Sequence, residues 1–417
     1  MKKRDGAERG AMGDRGVLSP RFLAVLSSQA LSLLGMEILQ FVLPLHLLDT
    51  TGSGALYGGV VAMGFIPYTL LAPIGGVIAD RTRKRGVMAL VAMALAAAMV
   101  GYLVFSGTSL VIPVSVGVLM LAFGAQALYQ PCVQSAIPHL VPSAEIERAV
   151  ALANQMGMLT GIAGPVVGGL ALGLLGIEPI AAVSVLCFAA SAAVTLLFVR
   201  VPYDPPARTA GAIETARSDI SEALAFLSSR PVMWRTIIAA MLVNLFGTAF
   251  FTVGSPYVVT QVLHLPNQFM GMLQGGLAMG GLLGGAAVAL VPGRFGMRRI
   301  PSLLAGVALG LMAMAGTLAL PLSPTVSYGV LFALHLVTMA MCMCMTIVAT
   351  SFLQMESPGT LVGKVMALAI MLANFAVPLG QLSYGIALDH IPAWGIALVA
   401  SAMVALVAAW LKARAEA

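Results

Sequence analysis

Twelve runs of mostly apolar residues alternate with short polar breaks along the 417-residue chain. Each run is long enough to matter, because a helix needs about 20 apolar residues to cross about 30 Å of hydrocarbon. The runs fall at about residues 21–47, 56–79, 86–106, 109–135, 149–173, 178–199, 233–261, 268–292, 299–320, 326–353, 362–388 and 392–412. This pattern predicts an all-α integral membrane protein with 12 transmembrane helices. Several runs exceed the minimum length, which predicts tilt or extension beyond the hydrocarbon.

Charge placement orients these spans. All 22 lysines and arginines fall on one side of a twelve-span arrangement. They gather in the N-terminal segment, between spans 2 and 3 (Arg81, Arg83, Lys84, Arg85), around the 6–7 connection, between spans 8 and 9 (Arg294, Arg298, Arg299) and at the C-terminus (Lys412, Arg414). The opposite breaks carry acids alone: Asp49, Glu178 and Asp389. Adding or dropping one span in either half destroys the separation. The positive-inside rule then places the basic side, and both termini, in the cytoplasm of a cell membrane, inner or plasma.

The longest polar break, about residues 200–232, contains Pro205-Pro206 and divides the chain. The expected organisation is a cytoplasmic tail 1–20, a six-helix bundle 21–199, a cytoplasmic linker 200–232, a second six-helix bundle 233–412 and a short tail 413–417. Ile213, Ile220, Leu224 and Leu227 stand at helical spacing within the linker. They read equally well as an amphipathic helix at the membrane surface and as part of a plain linker.

Composition narrows the function. Hydrophobic residues make up 59% and charged residues 9%, against about 25% charged in a soluble domain. Most of the outer surface must therefore face lipid. The net charge of +6 would suggest nucleic acid as the partner of a soluble protein; here the orientation signal accounts for it, and no nucleic-acid partner is expected. The four cysteines lie inside apolar runs without disulfide or zinc spacing and read as packing residues. No cleavable signal-peptide pattern is evident. There is no G-x-x-x-x-G-K-[ST] and no large soluble domain, so neither ATP-driven transport by this chain alone, nor an enzyme, nor a cofactor is expected.

The two halves repeat. Gly75-Gly76 followed by Asp80, Arg81, Arg83, Lys84 and Arg85 after span 2 corresponds to Gly284-Gly285 followed by Gly293, Arg294, Gly296, Arg298 and Arg299 after span 8. Leu140-Val141-Pro142 before span 5 corresponds to Glu356-Ser357-Pro358 before span 11, and Gly164-Pro165 with Gly168-Gly169 corresponds to Val377-Pro378 with Gly380-Gln381. Such a repeat suits transporters that rock two bundles about a site near the bilayer midplane.

These residues resemble the major facilitator superfamily, whose 2–3 loop signature has the form G-x-L-A-D-R-x-G-R-K-R. Gly76, Asp80, Arg81, Lys84 and Arg85 match it, and Arg83 stands where the family has glycine. The wider pattern is similar to the drug-efflux branch that includes macrolide and siderophore exporters. It comprises Ser28 to Gly35, Thr51-Gly52-Ser53, Pro131, Leu140-Val141-Pro142, Ala153-Asn154, the Gly164-Pro165 stretch and Gly363-Lys364-Val365-Met366. The resemblance implies two pseudo-symmetric six-helix bundles, alternating access, a small-molecule substrate, protons as coupling ion and a monomer in the bilayer. Asp80 beside Arg81, Lys84 and Arg85 reads either as a gate latch, its carboxylate holding basic groups or a helix N-terminus, or as topology alone. Gly161, Gly164, Gly168 and Gly169 permit close helix packing, and Pro165 can bend its span.

Polar residues inside spans are costly and so mark candidate sites. Among the acids, Glu37 alone lies deep within a run, about 24 Å along span 1 from Arg21 at 1.5 Å per residue. It could bind a cationic substrate or carry a proton, with Gln40 one turn on; the alternative is a hydrogen-bonded structural carboxyl. Gln126, Gln130 and Gln134 recur every four residues in span 4 and suit amphipathic substrates or interhelical hydrogen bonds. His335 in span 10 belongs to the residue type that titrates near neutral pH. It shares a face with Met339 and Met343, a low-weight candidate for soft copper(I). Asn244, Asn374, Gln274 and Gln381 are further cavity candidates, and His46 and Asp49 are expected at the outer rim. The expected function is proton-coupled efflux of amphipathic drugs or similar small molecules. The alternatives are a metal or metal-chelate transporter, a lysophospholipid flippase and a non-transporting scaffold.

Overall fold

The computed structural model describes residues 16–17, 19–201, 212–291, 294–359 and 361–415. Most of the N-terminal tail, Pro205-Pro206 and Gly293 lie outside them. Thirteen helices make up the described residues, and no strand occurs among them. In chain order they are α1 (Pro20–Thr51), α2 (Gly54–Arg81), α3 (Lys84–Phe105), α4 (Val111–Leu140), α5 (Ile146–Leu175), α6 (Ile177–Phe198), α7 (Ala212–Ser228), α8 (Pro231–Val262), α9 (Asn267–Leu290), α10 (Ile300–Ala319), α11 (Pro324–Glu356), α12 (Val362–Leu388) and α13 (Ala393–Ala415). All but α7 are long and apolar enough to cross a membrane. The structure therefore has the twelve spans that the apolar runs predict.

Helices outrun the apolar runs because polar ends still satisfy their own backbone. α1 continues past residue 47 to Thr51, where the Thr50 and Thr51 hydroxyls donate to the His46 and Leu47 carbonyls at 3.0 and 2.7 Å. α8 departs from α-geometry in a way that hydropathy does not reveal. After Val243 it contains three π-turns, Asn244–Thr248, Phe250–Gly254 and Val258–Val262, and such turns occur mostly as single bulges. Pro256 lies between the second and third. It has no N–H and so donates nothing to the helix; nearby, the Tyr57 hydroxyl donates to the Thr252 carbonyl at 3.3 Å.

The chain divides into two compact units. One comprises Met1–Leu43 and Gly64–Ile213, the other Pro44–Met63 and Glu214–Ala417. In the first, α3 packs on α4 and α6. Four hydroxyls meet in its interior: the Ser28 side chain lies 2.9 Å from Tyr129 Oη, 3.0 Å from Ser191 Oγ and 2.6 Å from Thr195 Oγ1. In lipid such bonds join helices that hydrophobicity cannot hold together. In the second unit, α10 packs on α11 and α13, α9 on α11, and α8 on α12.

Glycines repeat the same close approaches in each unit. A side-chain Cβ at Gly75 of α2 would overlap the Ala127 carbonyl of α4, and one at Gly284 of α9 would overlap the Ala340 carbonyl of α11. One at Gly164 of α5 would lie 2.5 Å from Glu37 Cβ of α1, and one at Gly380 of α12 would overlap the Leu245 carbonyl of α8. Gly75 and Gly284 are positions that the sequence repeat aligns, whereas Gly164 aligns with Val377 and Gly380 lies two residues beyond Pro378, so the second crossing uses a different glycine of the matching stretch in each half.

The linker helix α7 is seated on protein. Ala223 and Leu227 are fully buried against Met233, Ile237, Val365 and Leu368, whereas Leu224 stays exposed. Lys364 of α12 binds Asp219 at 2.8 Å and also Glu222. The Arg230 guanidinium stands 5.5 Å over the Phe226 ring. The Ile213 side chain lies outside the description.

Candidate functional site

In the first unit, α1 and α4 bring Glu37, Gln40 and Gln126 together. Gln40 Nε2 donates to Gln126 Oε1 at 3.1 Å, and Gln126 Nε2 donates to Glu37 Oε1 at 3.4 Å. The two amides thus form a directed chain that ends on the carboxylate. One turn of helix separates Gln40 from Glu37, so both face Gln126. Gly164 sets how closely α5 approaches, because its missing side chain leaves room for the Glu37 Cβ. Among the described residues no lysine or arginine forms a salt bridge with Glu37.

The glutamine stripe of α4 is divided by its surroundings. Gln126 joins Glu37, Gln130 is half-buried beside Gly157 of α5, and Gln134 is exposed. The 2–3 loop residues also separate. Gly76 is exposed, with open space where a side chain would stand. Lys84 is buried at the start of α3, Arg81 is half-buried, and Arg85 Nη2 donates to the Leu196 carbonyl of α6. The Asp80 side chain lies outside the description. Gly168 and Gly169 are buried, and Pro165 is half-buried.

In the second unit His335 is a packed, hydrogen-bonded group, only 2% exposed. Its Nδ1 lies 2.7 Å from the Leu331 carbonyl and its Nε2 lies 2.7 Å from Ser255 Oγ. A carbonyl can only accept, so Nδ1 carries a proton, and in the neutral ring Nε2 accepts a hydrogen bond from the Ser255 hydroxyl. Phe250 stacks on the ring at 6.4 Å and Phe251 meets it edge-on at 5.4 Å. Both nitrogens are thus occupied, which leaves no imidazole donor for a metal beside the half-buried Met339 and Met343. Among the described residues no three His, Cys, Asp or Glu groups gather as a metal site. Asn244 opens the first π-turn; it donates to the Ala373 carbonyl at 3.0 Å and accepts from the Thr248 hydroxyl at 3.0 Å. Asn374 is half-buried nearby in sequence.

One group escaped the sequence reading. Asp389 caps the first turn of α2 within the second unit, accepting from Gly54 N, Ala55 N and the Ser53 hydroxyl. Its sequence signal was only an acid among few, 335 residues from its partner. At the same end Asn267 donates to Asp49 at 2.5 Å.

Twelve apolar helices in two repeating sets of six, with polar groups paired inside spans, describe a multi-pass membrane transport protein. The sequence model of the Major Facilitator Superfamily matches residues 25–381, and the chain belongs to that family. It is a transporter, not an enzyme. Among characterised proteins it is similar to macrolide efflux protein A of Streptococcus pyogenes, 27% identical over 184 residues. That match covers 44% of this chain and 45% of the relative, less than half of each. Among solved structures it resembles the nucleoside transporter NupG, with TM-score 0.74, 15% identity, and coverage of 95% of this chain and 99% of that one. It also resembles a D-xylose-proton symporter, with TM-score 0.72, 14% identity, and coverage of 94% and 96%. At these identities the structural likeness speaks to the fold alone.

Proposed function

We propose that this transporter is a proton-coupled exporter of amphipathic small molecules, working by alternating access with its basic ends and termini in the cytoplasm of the cell membrane. The observation that carries the reading is the Glu37–Gln126–Gln40 chain. A carboxylate inside a span is expensive unless it is neutralised. The two amides position Glu37 without supplying a positive charge. A proton or the cationic group of a substrate supplies that neutralisation, and competition between the two couples their movements. The amides of Gln126, Gln130 and Gln134 suit amphipathic molecules without a fixed hydrogen-bonding pattern, and Asn244 and Asn374 are the polar candidates of the second unit. The similarity to a macrolide efflux protein supports export over import. Gly76, Asp80, Arg81, Lys84 and Arg85 act as the gate on the basic side, and Gly164, Pro165, Gly168 and Gly169 provide the close crossing about which α5 and α1 move. The engagement of both His335 nitrogens weighs against a copper pathway.

The test is flux in proteoliposomes under an imposed pH gradient, over a panel of cationic and neutral amphipathic dyes. Wild type accumulates at least one of them against its gradient only while the pH gradient lasts. Glu37→Gln keeps the shape and hydrogen bonding but cannot hold a charge, and it is expected to lose gradient-driven accumulation. Wild-type levels of gradient-driven accumulation in Glu37→Gln overturn the role of Glu37. No flux of any panel member by the wild type overturns the substrate class.

A further inference from the structure

The basic end of the second unit contains a hollow that the transport reading does not use. A cavity of about 160 Å³ is lined there by Arg235 of α8, Arg298 of the turn before α10, and Arg414 of α13. Apart from Thr236 the rest of its wall is apolar, with Met297, Pro301 and Leu304 among the lining residues. A second, larger space of about 840 Å³ runs between α10 and α13 and shares Arg298 and Pro301 with the first. Lys412 and Ser302 stand in it, and Ala305, Leu309, Met312 and Ala405 continue it along the two helices.

An orientation signal does not explain this arrangement. The positive-inside rule asks only for basic residues near span ends. Here three arginines from three separate elements converge on one hollow. Arg235 is half-buried within α8 rather than in a loop. Among the described residues no salt bridge forms with Arg235, Arg298, Lys412 or Arg414. Below the charges, small side chains leave a long apolar trough. A mostly apolar pocket with three arginines in its wall, joined to an apolar trough at a span end, is complementary to a phosphodiester carrying an acyl chain.

We infer that this hollow is a binding site for an anionic phospholipid from the leaflet at the basic end. Its phosphate sits among Arg235, Arg298 and Arg414, and one acyl chain lies in the groove along α10 and α13 beside Ala405. A bound lipid would also bridge α8, α10 and α13 and so tie three spans of the second unit together.

The test uses the purified full-length protein in phosphatidylcholine nanodiscs doped with phosphatidylglycerol, with native mass spectrometry counting the lipids retained. Wild type is expected to retain phosphatidylglycerol over phosphatidylcholine. Each arginine changed to glutamine should weaken retention about fivefold, the equivalent of about 1 kcal/mol per basic residue beside an anionic lipid. Ala405→Trp fills the trough and leaves every charge in place; it should also weaken phosphatidylglycerol retention. Arg298→Gln alters an exposed residue and serves if the triple arginine variant fails to fold. Equal phosphatidylglycerol retention by wild type and Arg298→Gln overturns the site. Retention that ignores Ala405→Trp and is displaced by inorganic phosphate overturns the lipid and leaves a phosphate pocket.

Discussion

Asp389 Oδ1 accepts a 2.6 Å hydrogen bond from the backbone N–H of Gly54, and this bond closes a separation of 335 residues. The second oxygen accepts from Ala55 N at 3.0 Å and from the Ser53 hydroxyl at 2.9 Å. One carboxylate thereby satisfies two of the free N–H groups in the first turn of α2 and meets the positive end of that helix. Close packing supports it, since a side chain at Gly58 would overlap the Gln381 carbonyl.

Removing this cap should loosen the start of α2. Asp389→Ala is expected to cost about 1 kcal/mol, as for other lost helix caps. Amide hydrogen exchange at Gly54 and Ala55 should accelerate while exchange in α10 stays unchanged. Asp389→Asn retains one acceptor and should fall between the two. Unaltered exchange at both amides in Asp389→Ala would show that water replaces the cap without loss.

Two glycines of α5 should respond in opposite ways. A Cβ at Gly164 meets the Glu37 Cβ at 2.5 Å, whereas one at Gly161 meets nothing within 4 Å. Gly164→Ala should therefore destabilise by about 1–3 kcal/mol through overpacking and displace Glu37 from Gln126. Gly161→Ala should be neutral, or stabilising by up to about 1 kcal/mol from helix propensity. Thermal unfolding in detergent separates them, and equal midpoints refute the close crossing.

His335 should matter for stability more than for coupling. His335→Ala leaves the Ser255 hydroxyl with the Phe250 carbonyl alone, at 3.3 Å, and removes the ring that packs against Phe250 and Phe251. The expected cost is about 1 kcal/mol for the lost hydrogen bond, before any cavity cost. The pH profile of gradient-driven flux should keep its shape in a folded His335→Gln variant. A shifted profile would assign His335 to the proton pathway.

The linker helix offers a contrast between burial and charge. Leu227 is fully buried against the second unit, and Leu227→Ala should release α7 at a cost of about 2–5 kcal/mol. Lys364→Ala removes a solvent-facing ion pair with Asp219 and Glu222 and should scarcely change exchange in α7. The reverse order would mean that charge, not packing, seats the helix.

Much of the architecture was legible because lipid imposes a coarse rule. A span must be apolar for about 20 residues and must hydrogen-bond its own backbone, so hydropathy finds spans however they pack. The ends moved by a few residues because Thr50 and Thr51 continue α1 with their hydroxyls bonded back to the His46 and Leu47 carbonyls, so polar side chains are accommodated within the helix. The π-turns of α8 were not legible. Apolar content does not record the hydrogen-bond register of a helix.

The candidate site was half legible. Glu37 stood out as an acid in an apolar run, and period four put Gln126, Gln130 and Gln134 on one face of their helix. Which of them meets Glu37 depends on the rotation of α4 against α1 and on the depth to which Gly164 lets α5 approach. Similarly, an isolated His335 reads as a titrating group until Ser255 and the Leu331 carbonyl are seen to occupy both of its nitrogens.

By itself, the sequence determined the number of spans and the placement of basic and acidic residues in alternate breaks between them. Both rest on local composition, which acts whatever the chain later contacts. Only the tertiary structure decided that Asp389 caps α2, that Gln126 alone of its stripe reaches Glu37, that α7 lies on protein, and that Arg235, Arg298 and Arg414 surround one hollow. Those outcomes depend on distances between groups far apart in the chain, and helix crossings a few ångströms deep set those distances.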